Sequence, residues 1–400
     1  MRSANQAPWV LVAGGFHSAG GMDQLNAAVA RGLIERGIPV HLVAHQIEPD
    51  LVTTRGVTAH PVNKSAGSFF LGQRQLDRRG RAVAAQAISR DPATRVLVNG
   101  VNCAWADLNW VHFVNHAWPP RSDNGPLWLR WKSRFESVFT LRRERTILPG
   151  ARLLIANSAT TRSAIIERFD IPSDRVVTVY PGSDARYAPP ASAQRAAARA
   201  SFGVTDRRPI VAFVGALGHD PRKGFDTLWA AWRRLYARRE WRAILIVAGG
   251  GRAVARWRQT VKAAGMADRV LILGFTEAIA TVLAAADLLV SPVRYEPYGL
   301  NVHEAISCGV PAMVSACAGV AERYPVELHD MLIADPEDGA ALAARLLEWS
   351  GRIDSVRERF ESYSRMLRSY TVEAMANQLI DLTTDGSERT ERESPRPAAI

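Results

Sequence analysis

Two glutamates, Glu296 and Glu304, stand eight residues apart in the segment SPVRYEPYGLNVHEAISCG at residues 291–309. Between them lies Pro297-Tyr298-Gly299-Leu300. A loop that becomes a helix near Gly299 leaves the backbone N–H groups of Gly299, Leu300 and Asn301 unpaired. Together with the helix dipole, those groups make an anion site. Glu304, about one turn into the helix, can accept hydrogen bonds from vicinal hydroxyls such as a ribose diol. Glu296, just before the helix, can grip a second polyol. An ionised carboxylate offers several acceptor sites, which suits hydroxyl recognition. Sugar, diphosphate and ribose would then meet one loop and one helix start.

Other strand-end loops supply complementary groups. Arg222 and Lys223 follow a strand that ends in Gly215. Two cations match what a departing diphosphate needs, because its developing negative charge must be stabilised in the transition state. No Asp-x-Asp pair stands at a strand end, so these cations and the helix start would take the place of a divalent ion. The expectation is a metal-independent site with no metal ligands and no cofactor. The glycine run 249–251, with Gly250 at its centre, and Gly274-Phe275-Thr276 would contact a nucleotide base through backbone groups. Backbone contacts carry no side-chain code, so uridine and guanosine donors both stay open.

The elements that must position these residues are legible in outline. Residues 9–13 read as a strand ending in Gly14-Gly15, and residues 22–36 as a helix closed by Gly37. Further strands are expected at 40–44, 95–99, 110–114, 151–156 and 176–180. A second series follows at 210–214, 243–248, 270–273, 288–291 and 312–315. Strands separated by helical stretches imply parallel sheets covered on both faces. Pro181-Gly182-Ser183-Asp184 and Pro189-Pro190 mark a boundary. We expect an α/β chain of two Rossmann-like domains, at 1–188 and 189–365, with sheets facing across a cleft. A C-terminal helix over 366–383 would pack back toward the first domain, and 384–400 reads as a disordered tail. Ligands sit at the carboxyl ends of strands in such sheets.

The run E-P-Y-G-L, then E-A, then C-G-V-P resembles the donor-site signature of glycosyltransferase family 4, a family of retaining enzymes with the GT-B fold. The resemblance covers nearly the whole chain. It implies transfer of a hexose-type sugar from a UDP- or GDP-sugar to a hydroxyl on a saccharide or lipid-linked acceptor, as in polysaccharide biosynthesis. It places Tyr298, Gly299, Leu300, Asn301 and Glu304 at the donor, with Gly21, Gly215, Gly250 and Phe275. Gly20-Gly21 resembles the family's first glycine loop, which lies against the diphosphate and the acceptor. Val214-Gly215…Lys223-Gly224 resembles its diphosphate clamp, Pro181-Gly182-Ser183-Asp184 its linker-proximal Asn-Gly-Val-Asp, and Ala318-Gly319-Val320-Ala321-Glu322 its late Gly-glutamate segment. One departure stands out: the family places arginine right after the strand-end glycine, whereas Ala216 stands here, and Arg222 would take over the phosphate role. The catalytic set implied is His112, Glu296, Arg222 and Lys223, with Gly20, Asp23 and His116 as secondary candidates on the acceptor side. The family's front-face mechanism has the β-phosphate accept the acceptor's proton, leaving His112 to position the sugar or support the oxocarbenium-like state.

Composition bounds these readings. The chain has 400 residues, 47% of them hydrophobic, a formal net charge of +11 and a pI near 10.1. No apolar run reaches the roughly 18–20 residues that span a bilayer. The three cysteines (Cys103, Cys308 and Cys317) form no CxxC, so a reduced cytoplasmic compartment fits. The positive charge admits an Arg-rich surface, phosphate-bearing ligands, an anionic membrane or nucleic acid. Nucleic acid is disfavoured, because the cations are dispersed and carry no motif. Residues 127–145 (LWLRWKSRFESVFTLRRER) place Trp128, Trp131, Phe135 and Val138 near one helical face among arginines. Two readings stand: an amphipathic helix docked on the sheet, or a basic helix making peripheral contact with an anionic membrane. A sugar-nucleotide epimerase or phosphorylase of similar architecture and a non-enzymatic basic module are the alternatives to a transferase. The intact E-P-Y-G-L core disfavours both enzymes, and the phosphorylase would also want a pyridoxal-phosphate lysine.

Overall fold

The structure is a computed structural model that describes residues 7–18, 20–63, 69–120 and 125–384. Its internal contacts divide the chain into two units. The first comprises Met1–Pro119, Glu136–Gly182 and Val372–Ile400, and the second Pro120–Phe135 and Ser183–Thr371.

In the first unit the chain order is β1 (Trp9–Val12), β2 (Gly15–Phe16), α1 (Gly21–Glu35), β3 (Val40–Ala44), β4 (Gln46–Ile47), α2 (Pro49–Thr53), β5 (Val57–Pro61), α3 (Phe69–Arg90), β6 (Arg95–Asn99) and β7 (Leu108–Val111). Then come α4 (Leu127–Ile147), which runs across both groupings, β8 (Leu153–Ala156), α5 (Ala159–Phe169) and β9 (Val176–Thr178). Seven strands form one sheet in the order β5-β3-β1-β6-β7-β8-β9, and β2 and β4 pair separately. Every paired strand is parallel. The reason is visible in β1 (WVLV) and β8 (LLIA), buried along their whole length as strands covered on both faces must be. Ser158 starts α5 by accepting the Thr161 amide hydrogen bond at 2.9 Å, and so replaces one of the missing intrahelical partners.

The second unit runs α6 (Ser192–Ser201), β10 (Ile210–Val214), α7 (Phe225–Tyr236), β11 (Ile244–Ala248), α8 (Val254–Ala263), β12 (Val270–Gly274), α9 (Ile279–Ala285) and β13 (Leu288–Ser291). It continues with α10 (Leu300–Ser307), β14 (Ala312–Ser315), β15 (Leu332–Ile333), α11 (Gly339–Ser350) and α12 (Ile353–Ser369). Its sheet order is β12-β11-β10-β13-β14-β15, again all parallel. In both sheets the strand order reverses beside the first strand, between β1 and β6 and between β10 and β13. Such reversals open a crevice at the strands' carboxyl ends. Part of the arginine excess is structural. Asp287 alone accepts from Arg195 at 2.6 Å, Arg199 at 3.1 Å and Arg357 at 2.7 Å, and so ties α6 and α12 to the head of β13.

Three expectations are corrected. The strand expected over 110–114 is Leu108–Val111. Its neighbour β8 pairs Ala156 with Val111 and ends there, so no ladder continues beyond. The helix expected over 366–383 is two helices, α12 ending at Ser369 and α13 spanning Val372–Thr384. The break falls where Ser183 donates its amide to the Tyr370 carbonyl at 2.8 Å and pairs with Thr371. The grouping changes at Gly182 and Thr371 rather than at 188 and 365. In the first unit α13 lies against α1 at Gly32, where an added Cβ would meet Ile380 at 3.3 Å, and Arg36 pairs with Asp381 at 2.5 Å. Of the tail expected at 384–400, Thr384 ends α13, and 385–400 lie outside the described residues.

Candidate functional site

At the reversal between β10 and β13, two loops leave adjacent strand ends. The loop after β10 turns at Asp220, whose carboxylate accepts the Arg222 amide at 2.9 Å. It ends at Gly224, with φ of 68°, from which α7 starts. A Cβ on Gly224 would lie 1.7 Å from the Pro292 carbonyl oxygen in the loop after β13. Only glycine allows that approach. We expect Gly224→Ala to destabilise the second unit by roughly 3 kcal/mol, read as a lowered denaturant midpoint. An unchanged midpoint would refute this packing.

Arg294 fastens the two loops. Its guanidinium donates to both Asp226 oxygens at 2.8 Å, to Glu337 at 2.8 Å and to the Pro221 carbonyl at 2.5 Å, and its amide donates to the Arg222 carbonyl at 2.8 Å. This clamp sets Lys223 against Glu296 in a direct ion pair, with Arg222 Nη1 3.7 Å from the same carboxylate oxygen. Burial pushes the Glu296 carboxyl up, but Lys223 and Arg222 more than offset it and hold the group below its ordinary range. Glu296 is thus a carboxylate at neutral pH.

Glu296 leads into α10. Its carbonyl accepts the Gly319 amide at 3.0 Å and the Tyr298 carbonyl accepts that of Val320 at 2.7 Å, so the late glycine segment is laced to this loop. Gly299, at φ 112°, starts α10. The amides of Leu300 and Asn301 open the helix and have no intrahelical acceptor. The Asn301 side chain donates to the Val214 carbonyl at 2.8 Å, which pins the helix start to the end of β10. Glu304 lies beside Asp184, Arg186 and Tyr187, and the Tyr187 hydroxyl hydrogen-bonds its carboxyl. Burial is the largest influence and, with Asp184, pushes that carboxyl up to about 8. Arg186 and Tyr187 oppose the shift without cancelling it. Arg186 is already paired with Asp184 at 2.9 Å.

Next along the sheet, Gly250 and Phe275 meet. A Cβ on Gly250 would sit 3.1 Å from the Phe275 Cβ, and the Phe275 ring is 76% exposed. A cleft of about 160 Å³ between the β10 loop and α8 is lined by Lys223, His219, Asp226, Arg256 and Trp257 among others, and neither glutamate lines it.

In the first unit the turn after β1 carries a second cluster. Gly20, at φ 101°, precedes α1, whose first residue is Gly21. Asp23 pairs with His17 at 3.3 Å over the Gly14-Gly15 backbone. Asn26 donates to the Gly15 carbonyl at 3.3 Å and accepts from Asn99 at 2.7 Å, which ties this turn to the end of β6. His112 stands one residue beyond β7, its ring 4.4 Å from that of Trp110. Both its ring nitrogens are buried without a hydrogen-bond partner, and burial pushes the imidazole down to about 3.

Family profiles match both halves of the chain. The profile described as Glycosyltransferase Family 4 matches residues 19–187, and that described as Glycosyl transferases group 1 matches residues 208–350. The chain belongs to glycosyltransferase family 4.

Relatives of this family 4 chain include the D-inositol 3-phosphate glycosyltransferase of Mycolicibacterium smegmatis, 30% identical over 64% of the chain and 58% of that protein. They also include the O-antigen chain mannosyltransferase B of Escherichia coli, 31% identical over 53% of the chain and 54% of that protein. The chain spans about half the length of the curated relatives it matches. Among solved structures, WaaG, a glycosyltransferase involved in lipopolysaccharide biosynthesis, superposes with a TM-score of 0.74 at 17% identity, over 94% of this chain and 100% of that one. Anabaena HepE, solved with UDP and glucose, superposes at 0.65 with 18% identity, over 95% and 100%. The two parallel α/β sheets are those of the GT-B fold.

For this family 4 chain, the structure brings Arg222, Lys223 and Glu296 together and sets Gly215, Gly299, Leu300 and Asn301 around them. Four of the expected side chains stand in settings the sequence does not show. Tyr298 is 2% exposed and its hydroxyl bonds His303 at 2.7 Å and Arg323 at 2.9 Å, so the ring belongs to the core and only its backbone faces the loop. His116 is held by buried Glu144 at 2.7 Å, an anchor under α4. His112 lies past the strand, not within it. The Glu304 carboxyl, read as ionised from the sequence, is pushed up to about 8, burial being the largest cause. Sequence reasoning missed Arg294 and His17. Arg294, two residues ahead of Glu296, offered position as its only signal. Among the described residues, no group of three or more His, Cys, Asp or Glu side chains is placed to hold a metal ion, and no helix is long and apolar enough to cross a membrane.

Proposed function

We propose that the chain is a retaining glycosyltransferase moving a hexose-type sugar from a UDP- or GDP-sugar to an acceptor hydroxyl on a saccharide or lipid-linked molecule, without a catalytic metal. The observation that carries this reading is the convergence of Lys223 and Arg222 on Glu296 beside the glycine-started helix α10, at the sheet's reversal point. HepE's complex with UDP and glucose and the relatives' names support the donor class.

Each group then has a physical task. The Leu300 and Asn301 amides and the two cations receive the diphosphate. As the C1–oxygen bond to the β-phosphate breaks, negative charge grows on that phosphate, and Lys223 and Arg222 stabilise it. The acceptor oxygen bonds C1 on the same face, and its proton passes to the departing phosphate oxygen. Glu296 accepts a sugar hydroxyl. Glu304 accepts the ribose hydroxyls, and Phe275 lies along the base above Gly250. His112, kept neutral by burial, has a ring N–H to offer a sugar hydroxyl, and Gly20, Gly21 and Asp23 would face the acceptor.

The test is a thermal-shift panel of nucleoside diphosphates and nucleotide sugars, followed by assay of nucleoside diphosphate release with and without a chelator. One nucleoside diphosphate should raise the melting temperature at saturating concentration, by an amount set by its affinity. Release should continue in the chelator. Silence across the panel would sink the donor reading. Activity lost to the chelator and restored by magnesium or manganese would sink metal independence.

A further inference from the structure

Helix α4 is turned inside out. Apart from Ile147 in its last position, the side chains it buries are Ser133, Ser137, Thr140 and Glu144, all less than 10% exposed. Those it exposes are Leu127 at 70%, Trp128 at 62%, Trp131 at 71%, Phe135 at 70% and Val138 at 46%. At 100° per residue the five apolar side chains share an arc of about 100°, and the buried polar four lie within about 60° on the opposite side. An ordinary surface helix has the reverse arrangement. Contiguous exposed aromatics of this kind mark a surface that meets something apolar.

The charges say what. The helix carries six basic residues (Arg130, Lys132, Arg134, Arg142, Arg143 and Arg145) against Glu136 and Glu144. Glu144 is buried, its carboxylate already taken by Asn115 and His116, so Glu136 is the one acid on the outer faces of this helix. Arg134 borders the apolar ridge, and Arg142 and Arg145 continue its line toward the C-terminal end. Indole and phenyl rings flanked by arginines suit the level of lipid headgroups, with rings in the acyl boundary and guanidinium groups at phosphates. A protein partner would supply neither the fluid apolar layer nor a continuous plane of anions along a helix of about 30 Å.

We infer that α4 docks this chain on an anionic lipid bilayer, lying flat with Trp128, Trp131 and Phe135 inserted. The inference does not rest on the donor site and survives or fails apart from it.

The test is flotation of the full chain with vesicles of phosphatidylcholine alone or mixed evenly with phosphatidylglycerol. Wild type should float with the anionic vesicles at low salt, stay behind with the neutral ones, and be released at about 0.5 M salt. A basic residue near an anionic surface is worth on the order of fivefold in binding. Arg134→Glu/Arg142→Glu should therefore weaken binding roughly hundredfold. Trp128→Ser/Trp131→Ser/Phe135→Ser should weaken it at least about tenfold while keeping the wild-type melting curve, because these side chains are exposed. Arg233→Glu/Arg234→Glu, an equal charge change at exposed positions on α7, should leave binding within about twofold. No flotation at low salt would overturn the inference. So would equal losses in the α4 and α7 variants, which would reduce the attraction to overall charge. A ridge-dependent dimer in sedimentation without vesicle binding would overturn it in favour of a second copy.

Discussion

Lys223→Ala is expected to lower turnover with the nucleotide-sugar donor by about a thousandfold, the upper end of what removing one preorganised charge-stabilising donor does. The loss should fall on kcat more than on KM, because the charge Lys223 meets grows as the phosphate departs. Arg222→Ala should cost less, on the order of tenfold to hundredfold, since its guanidinium stands 3.7 Å from Glu296 whereas Lys223 pairs with it directly. Steady-state release of nucleoside diphosphate reads both, with circular dichroism showing that each variant is folded. Lys223→Ala turnover within tenfold of wild type would remove this lysine from the chemistry.

Glu304→Gln is expected to make the protein more stable and nearly inactive. Burial pushes the Glu304 carboxyl up to about 8 in the folded chain, from an ordinary value of 4.5. Below about pH 4.5 both folded and unfolded chains hold the proton, so the group is neutral in its effect on folding. Between the two values the unfolded chain releases the proton while the folded chain keeps it, and stability falls as pH rises. At neutral pH the penalty is on the order of 3 kcal/mol. Glutamine removes the titration. The melting temperature should then rise by roughly 5 °C at pH 7–8 and hardly at all at pH 4. Transfer should drop at least about a hundredfold, because the ribose hydroxyls lose an anionic acceptor. For the same reason nucleotide binding to wild type should release a proton near pH 7, measurable by calorimetry in buffers of different ionisation enthalpy. A variant less stable than wild type at pH 8 would contradict the burial argument, and one with wild-type turnover would contradict the ribose assignment.

Much of this architecture is legible in the sequence. The strand-and-glycine rhythm gives both sheets, since buried parallel strands are short apolar runs and their exits need tight turns. The run from Glu296 to Glu304 signals a loop passing into a helix, and the helix starts where Gly299 stands. What was not readable is set by residues distant in sequence. Glu304 looks like any helical acid, and only its enclosure, with Asp184 nearby, explains its high pKa. The family resemblance places Tyr298 at the donor, yet His303 and Arg323 draw its hydroxyl inward. Arg294 has no local signature, because its partners Asp226 and Glu337 lie 68 and 43 residues away. For α4 the helical face carrying Trp128 and Trp131 was evident, but periodicity cannot say whether a face points in or out.

The charges in the loops around Glu296 nearly cancel. Lys223 and Arg222 are matched by Glu296 and Asp220, so in the resting protein the pocket presents little net field to an approaching anion. The long-range pull on a pyrophosphate would then come from the chain's net charge of +11 rather than from this loop. Strong retention would begin only as Lys223 trades part of its hold on Glu296 for the phosphate. That exchange would leave Glu296 with acceptor capacity to spare just when a sugar hydroxyl arrives beside it, so occupancy of one half of the donor would prepare the grip on the other.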